Sequence, residues 1–152
     1  MKDGRDTLRA WLALLSASNA IKKTVDARMR QRFGLSISRF DVLAALDRAG
    51  EGGLTAGALS THLKVTEGNT TQVTVPLVSE GLVRRRVSSS DGRVAIFELT
   101  KKGQRVFAEM AEANRHWVAE AFSPLTADQI SALRNLLGVL NRPAGQAKEE
   151  AA

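Results

Sequence analysis

The chain has 152 residues, of which 43% are hydrophobic and 25% are charged, a composition typical of a soluble globular protein of one domain. It contains no cysteine, which excludes disulfides, thiolate metal sites and thiol-based redox sensing. The formal net charge of +6 is concentrated in two parts of the chain. Residues 1–34 contain eight basic and three acidic side chains, and residues 64–105 contain eight basic and four acidic side chains. Such basic surfaces attract phosphate, although many of them bind no nucleic acid.

The sequence gives no sign of a membrane segment or of secretion. It has no run of about 18 apolar residues, and its N-terminus lacks the features of a cleavable signal. We therefore predict a cytoplasmic protein with no membrane partner.

The N-terminal part of the chain is predicted to form one long helix over 7–33. Its apolar residues recur three or four positions apart, and Gly34 is a natural stop. A helix of this size is about 39 Å long at 1.5 Å per residue. One small core cannot cover that length, so we expect part of its apolar face to pack on another subunit.

Three shorter helices are predicted next. The second covers 38–48 with Ser38 as its cap, the third follows a cap at Thr55, and the fourth runs from a cap at Thr66 to a stop at Gly81.

After the fourth helix, the spacing of apolar residues changes from that of a helix to that of a strand. Residues 82–88 and 94–100 are predicted strands, joined through Asp91 and Gly92 in a tight hairpin turn that requires a positive φ. A fifth helix is predicted over 101–122, and Thr126 with Gln129 predicts a capping box at the start of a sixth, which runs to about 140.

This order of elements predicts a mainly α (α+β) fold, a winged helix-turn-helix with long N- and C-terminal dimerisation helices. We assign residues 35–100 to the DNA-binding lobe, with the β-hairpin as its wing. Residues 1–34 and 101–141 form the helical dimerisation region, and residues 142–152 form a disordered tail.

The fourth helix of such a lobe lies in the major groove of DNA. Asn and Gln can bond adenine with two hydrogen bonds, and Thr can bond a base edge or touch a thymine methyl. The alternative is a polar, solvent-facing helix start. The predicted base-contacting residues are Thr66, Asn69, Thr70, Thr71 and Gln72.

Basic and capping residues elsewhere in the lobe are candidates for contacts with the DNA backbone. Arg93 stands at the hairpin tip, where a long cation can reach a narrow minor groove. Arg84 and Arg86 share one face of the first strand and either contact phosphate or protect an exposed strand edge by charge. The remaining candidates are Ser36, Ser38 and Arg39 at the start of the second helix, where free amides can bind phosphate or the serines simply cap, and Lys64 before the fourth helix.

With these residues in view, the sequence resembles the MarR family of bacterial regulators over nearly its whole length. The resemblance is most specific over residues 37–103 and includes Gly81-Leu82-Val83, Asp91-Gly92-Arg93 and Leu99-Thr100 followed by Gly103. It implies a homodimer built from the first, fifth and sixth helices, bound to a pseudo-palindromic double-stranded operator. It further implies, as in many members, repression that a small, often aromatic, anionic effector relieves.

The chain departs from the family pattern in the second half of the fourth helix. Where the family usually has an acidic residue and an arginine, this chain has Val75 and Pro76, and no Lys or Arg occurs between Thr66 and Glu80. Because proline lacks an N–H and crowds the preceding turn, we expect the helix to be kinked or shortened near Thr74.

The sequence offers no catalytic motif, no cofactor and no metal site, and we predict that the protein is not an enzyme. The aromatic and apolar residues of the long helices are expected in the core, but a few are also candidates for an effector pocket: Trp11, Met110, His116 and Trp117. The main hypothesis is a DNA-binding transcriptional regulator. The alternative is a winged-helix dimer that acts as a protein-interaction module with weak or lost operator binding.

Overall fold

The structure, a computed structural model, describes residues 3–63 and 67–142. It confirms the mainly α winged helix-turn-helix architecture. In chain order the elements are α1 (Gly4–Phe33), α2 (Ile37–Ala49), β1 (Leu54–Thr55), α3 (Ala56–Leu63), α4 (Glu67–Ser79), β2 (Val83–Val87), β3 (Ala95–Leu99), α5 (Lys101–Phe122) and α6 (Ala127–Leu140).

The starts of α1 and α2 differ from the predicted ones because other side chains act as caps. In α1 the carboxylate of Asp3 accepts a hydrogen bond from the Arg5 amide at 3.0 Å, so the helix begins three residues before the predicted start. In α2 the cap is Ser36, whose hydroxyl accepts from the Arg39 amide at 3.2 Å, and Ser38 lies inside the helix.

A three-stranded antiparallel sheet with the strand order β1-β3-β2 forms the wing and its base. The sequence did not reveal β1, a strand of only two residues in which Leu54 pairs with Phe97. The hairpin is present, but the expected positive φ at Gly92 is wrong. Seven residues separate Val87 from Ala95, so the connection is not a two-residue turn, and its geometry places no such demand on the glycine.

The core lies where α1, α2, α3, α4 and the sheet meet α5. Its fully buried side chains include Met29 of α1, Leu43 and Leu46 of α2, Leu59 of α3 and Leu77 of α4. Burial of each such side chain contributes about 1.5–3 kcal/mol. The second half of α1 is therefore anchored in this core, whereas residues of its first half are largely exposed.

The end of α4 is joined tightly to the wing. Gly81 adopts φ 76° and its amide bonds the Val78 carbonyl, while the Leu82 amide bonds the Leu77 carbonyl at 3.0 Å, the hydrogen-bond pattern of a Schellman motif. The hydroxyl of Thr100, at the end of β3, donates to the Gly81 carbonyl at 2.6 Å. These contacts fix the direction in which β2 and β3 leave α4.

The described residues up to Trp117 form one compact unit, and those from Val118 onward form a second. In the second unit, α6 starts with the predicted capping box: the Gln129 amide donates to the Thr126 hydroxyl, and the Thr126 amide donates to the Gln129 side chain. The tail predicted over 142–152 lies outside the described residues apart from Arg142. Within 3–63 and 67–142, no helix has the length and hydropathy needed to cross a membrane.

One carboxylate connects α1 to the start of α2. Asp26 accepts a hydrogen bond from the Ile37 amide at 2.8 Å and also pairs with Arg30 at 2.8 Å. The Ile37 amide, and after it Arg30, holds the pKa of Asp26 below its ordinary value of 3.8. The contact bridges two helices and closes the turn between them.

We expect Asp26→Ala to lower the free energy of unfolding by about 1 kcal/mol, the usual cost of removing a helix N-terminal acceptor. Because the folded-state pKa is lowered, the stabilisation is present above the unfolded pKa and disappears as the pH falls through the folded value. Urea unfolding at one fixed protein concentration should thus show a gap between wild type and variant at pH 7 that closes below about pH 4. Asp26→Asn, which keeps an acceptor oxygen, is the control; equal losses in both variants would contradict the assignment.

Candidate nucleic-acid interface

The rotation of α4 about its own axis is fixed by its buried face. The hydroxyls of Ser60 in α3 and Thr70 in α4 are 2.9 Å apart and hydrogen-bonded in the interior. One turn later the Thr74 hydroxyl donates to the Thr70 carbonyl at 2.9 Å, and Leu77 is fully buried. This face of the helix therefore packs on α2 and α3 and cannot turn toward solvent.

The opposite face of α4 is the one available to a ligand. At 3.6 residues per turn, the positions opposite the buried face form the stripe Gly68, Gln72, Val75 and Ser79, all exposed. The Gln72 side-chain amide makes no hydrogen bond with another residue that the structure describes. The exposed Asn69 and Thr71 flank this stripe on either side.

The structure corrects the predicted role of Thr70. Its side chain is only 2% exposed and its hydroxyl is bonded to Ser60, so it supports the helix from within and is not available to a base edge. Thr66 and Lys64, which were also proposed as DNA contacts, lie outside the described residues.

The predicted shortening of α4 at the proline is wrong. The helix continues through Pro76 to Ser79. Pro76 cannot donate to the carbonyl of Gln72, four residues earlier, and this carbonyl lies on the exposed side, where water can satisfy it. The second half of the helix therefore remains part of the outward face.

The wing ends in a turn that presents an arginine. The carboxylate of Asp91 accepts a hydrogen bond from the Arg93 amide at 3.0 Å, and the Asp91 carbonyl accepts from the Val94 amide at 3.1 Å. The Arg93 side chain is exposed and has no ion-pair partner among the described residues. It can therefore extend to a phosphate or into a groove.

Arg84 and Arg86 share one face of β2, as predicted, but both are held by a single carboxylate that the sequence did not identify. Glu98 of β3 pairs with Arg84 and, at 2.8 Å, with the Arg86 Nε. Arg84, and after it Arg86, lowers the pKa of Glu98, so this carboxylate stays ionised at neutral pH. The three side chains together carry one positive charge instead of two, which reduces their pull on phosphate.

The N-terminus of α2 offers less to a phosphate than the sequence predicted. The Ile37 amide is taken by Asp26 and the Arg39 amide by Ser36, so two of the expected free amides are already bonded. The Asp26 carboxylate also repels anions there. The Arg39 guanidinium lies 3.6 Å from the Glu80 carboxylate, and the Arg39 side chain remains 28% exposed. This side chain can therefore still contact a DNA phosphate.

A groove of about 320 Å³ lies beside the outward face of α4. It is lined by Lys22, Ser38, Asp41, Leu63, Asn69, Gln72 and Val73. Partial desolvation raises the pKa of Asp41, and Lys22 opposes that shift. Lys22 and Asp41 were missed as members of the site because only the folding of α1 against α2 and α4 brings them next to Gln72.

The four residues proposed for an effector pocket do not form one pocket within this chain. Met110 is fully buried, and the Trp117 ring packs against Phe33 with centroids 6.5 Å apart. Trp11 lies 22 residues before Phe33 on the same helix, about 33 Å away at 1.5 Å per residue. Sequence periodicity placed these residues on apolar stripes but could not show that the stripes are far apart.

His116 lines a cavity of about 560 Å³ with Arg32 on α1 and with Glu109 and Glu112 on α5. The charges of the two carboxylates outweigh that of Arg32, the arginine that an anion would need. The charge of this cavity therefore does not favour an anionic effector, which stays a prediction of the family resemblance.

Comparison with known proteins identifies the class. The MarR family model matches residues 33–94, from the end of α1 to the hairpin loop. An uncharacterised HTH-type transcriptional regulator of Mycobacterium leprae, ML2140, is 30% identical over 101 residues, which are 66% of this chain and 69% of that one. The HTH-type transcriptional repressor IacR of Pseudomonas putida is 28% identical over 113 residues, 74% of this chain and 66% of that one.

The family model and these relatives define the class, and a solved structure shows the same fold. The crystal structure of Sco3205, a MarR family transcriptional regulator from Streptomyces coelicolor, in complex with DNA, matches with a TM-score of 0.82 over 95% of this chain and 93% of that one, at 21% identity. The protein is thus a winged helix-turn-helix transcriptional regulator. It belongs to the MarR family.

If DNA lies against the Arg84–Arg86 face, Glu98→Gln should strengthen binding to a duplex at low salt and steepen its salt dependence. Loss of the shared carboxylate frees one more positive charge per subunit, which adds up to about 0.9 per subunit to the steepness of log K against log salt. Fluorescence anisotropy across a salt series measures both quantities. Glu112→Gln, which removes the partner of Arg115 on α5, is the matched control. Identical behaviour of the two variants would remove Arg84 and Arg86 from the interface.

Proposed function

We propose that this MarR-family regulator is a repressor that binds a pseudo-palindromic DNA operator as a homodimer. In each subunit the outward face of α4 reads base edges in the major groove, while Arg93 of the wing contacts the adjacent backbone or minor groove. The observation that carries the proposal is the Gln72 amide at the centre of an exposed helix face, beside a hairpin that presents the exposed Arg93; neither side chain is bonded to another residue of the part of the chain that the structure describes. The repressor named among the relatives supports the direction of regulation.

The homodimer is supported by apolar side chains that one chain leaves in water. On α1, four of them recur at helical spacing on one face: Leu8, Trp11, Leu12 and Leu15, between 40% and 55% exposed. On α6, Leu136, Val139 and Leu140 are between 61% and 72% exposed. Exposed apolar side chains clustered on one helix mark an interface, and a symmetric dimer also supplies the second reading helix for a palindromic site.

The remaining parts of the proposal follow from the class of protein. Its relatives are transcriptional regulators, so we infer no catalytic role, and we place it in the cytoplasm with the DNA that it regulates. Release by a small-molecule effector is kept as the prediction of the family resemblance. A protein-interaction role without operator binding would be favoured only if no complex with DNA flanking its own gene formed at low salt.

We expect Arg93→Ala and Gln72→Ala to weaken operator binding in different ways. Loss of Arg93 removes a charge contact, so affinity should fall by a similar factor on all duplexes and the salt slope should decrease by about 1 per subunit. Loss of Gln72 removes base readout, so discrimination at one base pair of each half-site should fall by about 1–3 kcal/mol with little change in the salt slope.

Competition binding against single-base variants of the operator, repeated across a salt series, separates these effects. Arg115→Ala, a solvent-exposed arginine on α5, is the control for simple loss of charge. If both test variants bound the operator as tightly and as selectively as wild type, the roles proposed for Gln72 and Arg93 would be refuted.

We expect Leu12→Asp to convert the dimer into a monomer, since an aspartate at the centre of the α1 stripe would be buried without a partner in the proposed interface. Sedimentation velocity at micromolar concentration should show the mass of one chain for Leu12→Asp and of two chains for wild type. Ala10→Asp, on the opposite side of the same helix, should remain dimeric. A wild-type protein that sediments as a monomer would contradict the proposal.

A further inference from the structure

The outward face of α4 carries an apolar side chain that contributes little to the packing of the chain. Val75 is 59% exposed on a helix that is otherwise well packed. A β-branched residue at an exposed helix position, directly before a proline, stabilises the helix less than Ala, Lys or Glu would. Because its side chain contributes little burial within the chain, it is available to a partner outside the chain.

The position of Val75 points to the same DNA surface that the proposed function assigns to α4. It lies one turn after Gln72 on the outward stripe, and the buried Thr70, Thr74 and Leu77 keep that stripe turned to solvent. No Lys or Arg occurs from residue 67 to residue 79, so this face has no cation that could bond the acceptors of guanine.

The chemistry of the major groove leaves one suitable partner for such a side chain. Among the base edges there, only the C5 position of a pyrimidine presents an apolar group, the methyl of thymine. Against the other base edges, Val75 would cover hydrogen-bonding atoms without replacing their bonds to water, which is unfavourable. A glutamine one turn earlier, suited to adenine, favours A·T pairs in the same stretch of the site.

We propose that Val75 reads the C5-methyl group of a thymine in each half-site of the operator, one helical turn from the base pair that Gln72 reads. This inference rests on the proposed DNA-binding function. It assigns specificity in the second half of α4 to a methyl–methyl contact in place of a charged one.

The experiment first selects the preferred site from a random duplex library with the full-length protein. Each thymine of that site is then replaced in turn by deoxyuridine, which lacks only the C5-methyl. For one thymine per half-site, the replacement should weaken wild-type binding about fourfold, the value of one buried methyl group. Val75→Ala should bind the thymine and deoxyuridine duplexes equally well. Val78→Ala, with the same change one turn further along at the edge of the exposed face, should keep the discrimination.

The outcomes separate the two levels of the proposal. If no site is selected and no duplex is bound at low salt, the DNA-binding function itself fails. If a site is selected but no deoxyuridine replacement weakens binding, or if Val75→Ala still discriminates, the thymine contact alone is overturned. If binding responds only to 5-methylcytosine placed for cytosine, a C5-methyl is read but the assignment to thymine is wrong.

Discussion

The candidate interface depends on a buried hydrogen bond between two hydroxyls. The pair formed by Ser60 and Thr70 joins α3 to α4 in the interior, where leaving either group unpaired would cost about 1–3 kcal/mol. Because this bond fixes the rotation of α4 about its own axis, it determines which polar residues of that helix face solvent. A rotation by one residue, about 100°, would bury Thr71 in place of Thr70 and would turn Gln72 away from the centre of the exposed face.

A second constraint sets the wing relative to α4. The Thr100 hydroxyl bonds the carbonyl of Gly81, in the turn that ends α4, and the Gly103 amide donates to the same hydroxyl at 3.0 Å. Gly103 allows this approach, since a Cβ there would lie 1.9 Å from the Leu82 carbonyl oxygen. The start of α5, the end of β3 and the end of α4 thus meet in one small cluster, so the helix and the hairpin are presented as one rigid surface.

The sequence predicted most of the fold because its signals are local. The capping box at Thr126 and the stop at Gly34 involve residues within four positions of each other, and the hairpin follows from alternation beside a turn-forming Asp-Gly pair. The buried face of α4 could not be predicted, since Thr70 and Gln72 are both polar and the apolar residues of its second half do not mark one face. The pairing of Arg84 and Arg86 with Glu98 was also missed. It depends on the register between β2 and β3, which brings together residues 14 and 12 positions apart in the sequence.

The distribution of charge over α4 and the wing separates the proposed attraction to DNA phosphates from the proposed recognition of bases. The outward stripe of α4 is uncharged, so the base contacts proposed for it would change little with salt. On the wing, Arg93 has no ion-pair partner within residues 3–63 and 67–142, and Arg84 with Arg86 is half neutralised by Glu98. In the proposed complex the wing would therefore supply most of the attraction to phosphate, and α4 would supply most of the sequence preference. Because Gly81 and Thr100 join the two elements, the contact of the wing with the DNA backbone in the proposed complex would also set the depth at which Gln72 and Val75 enter the groove.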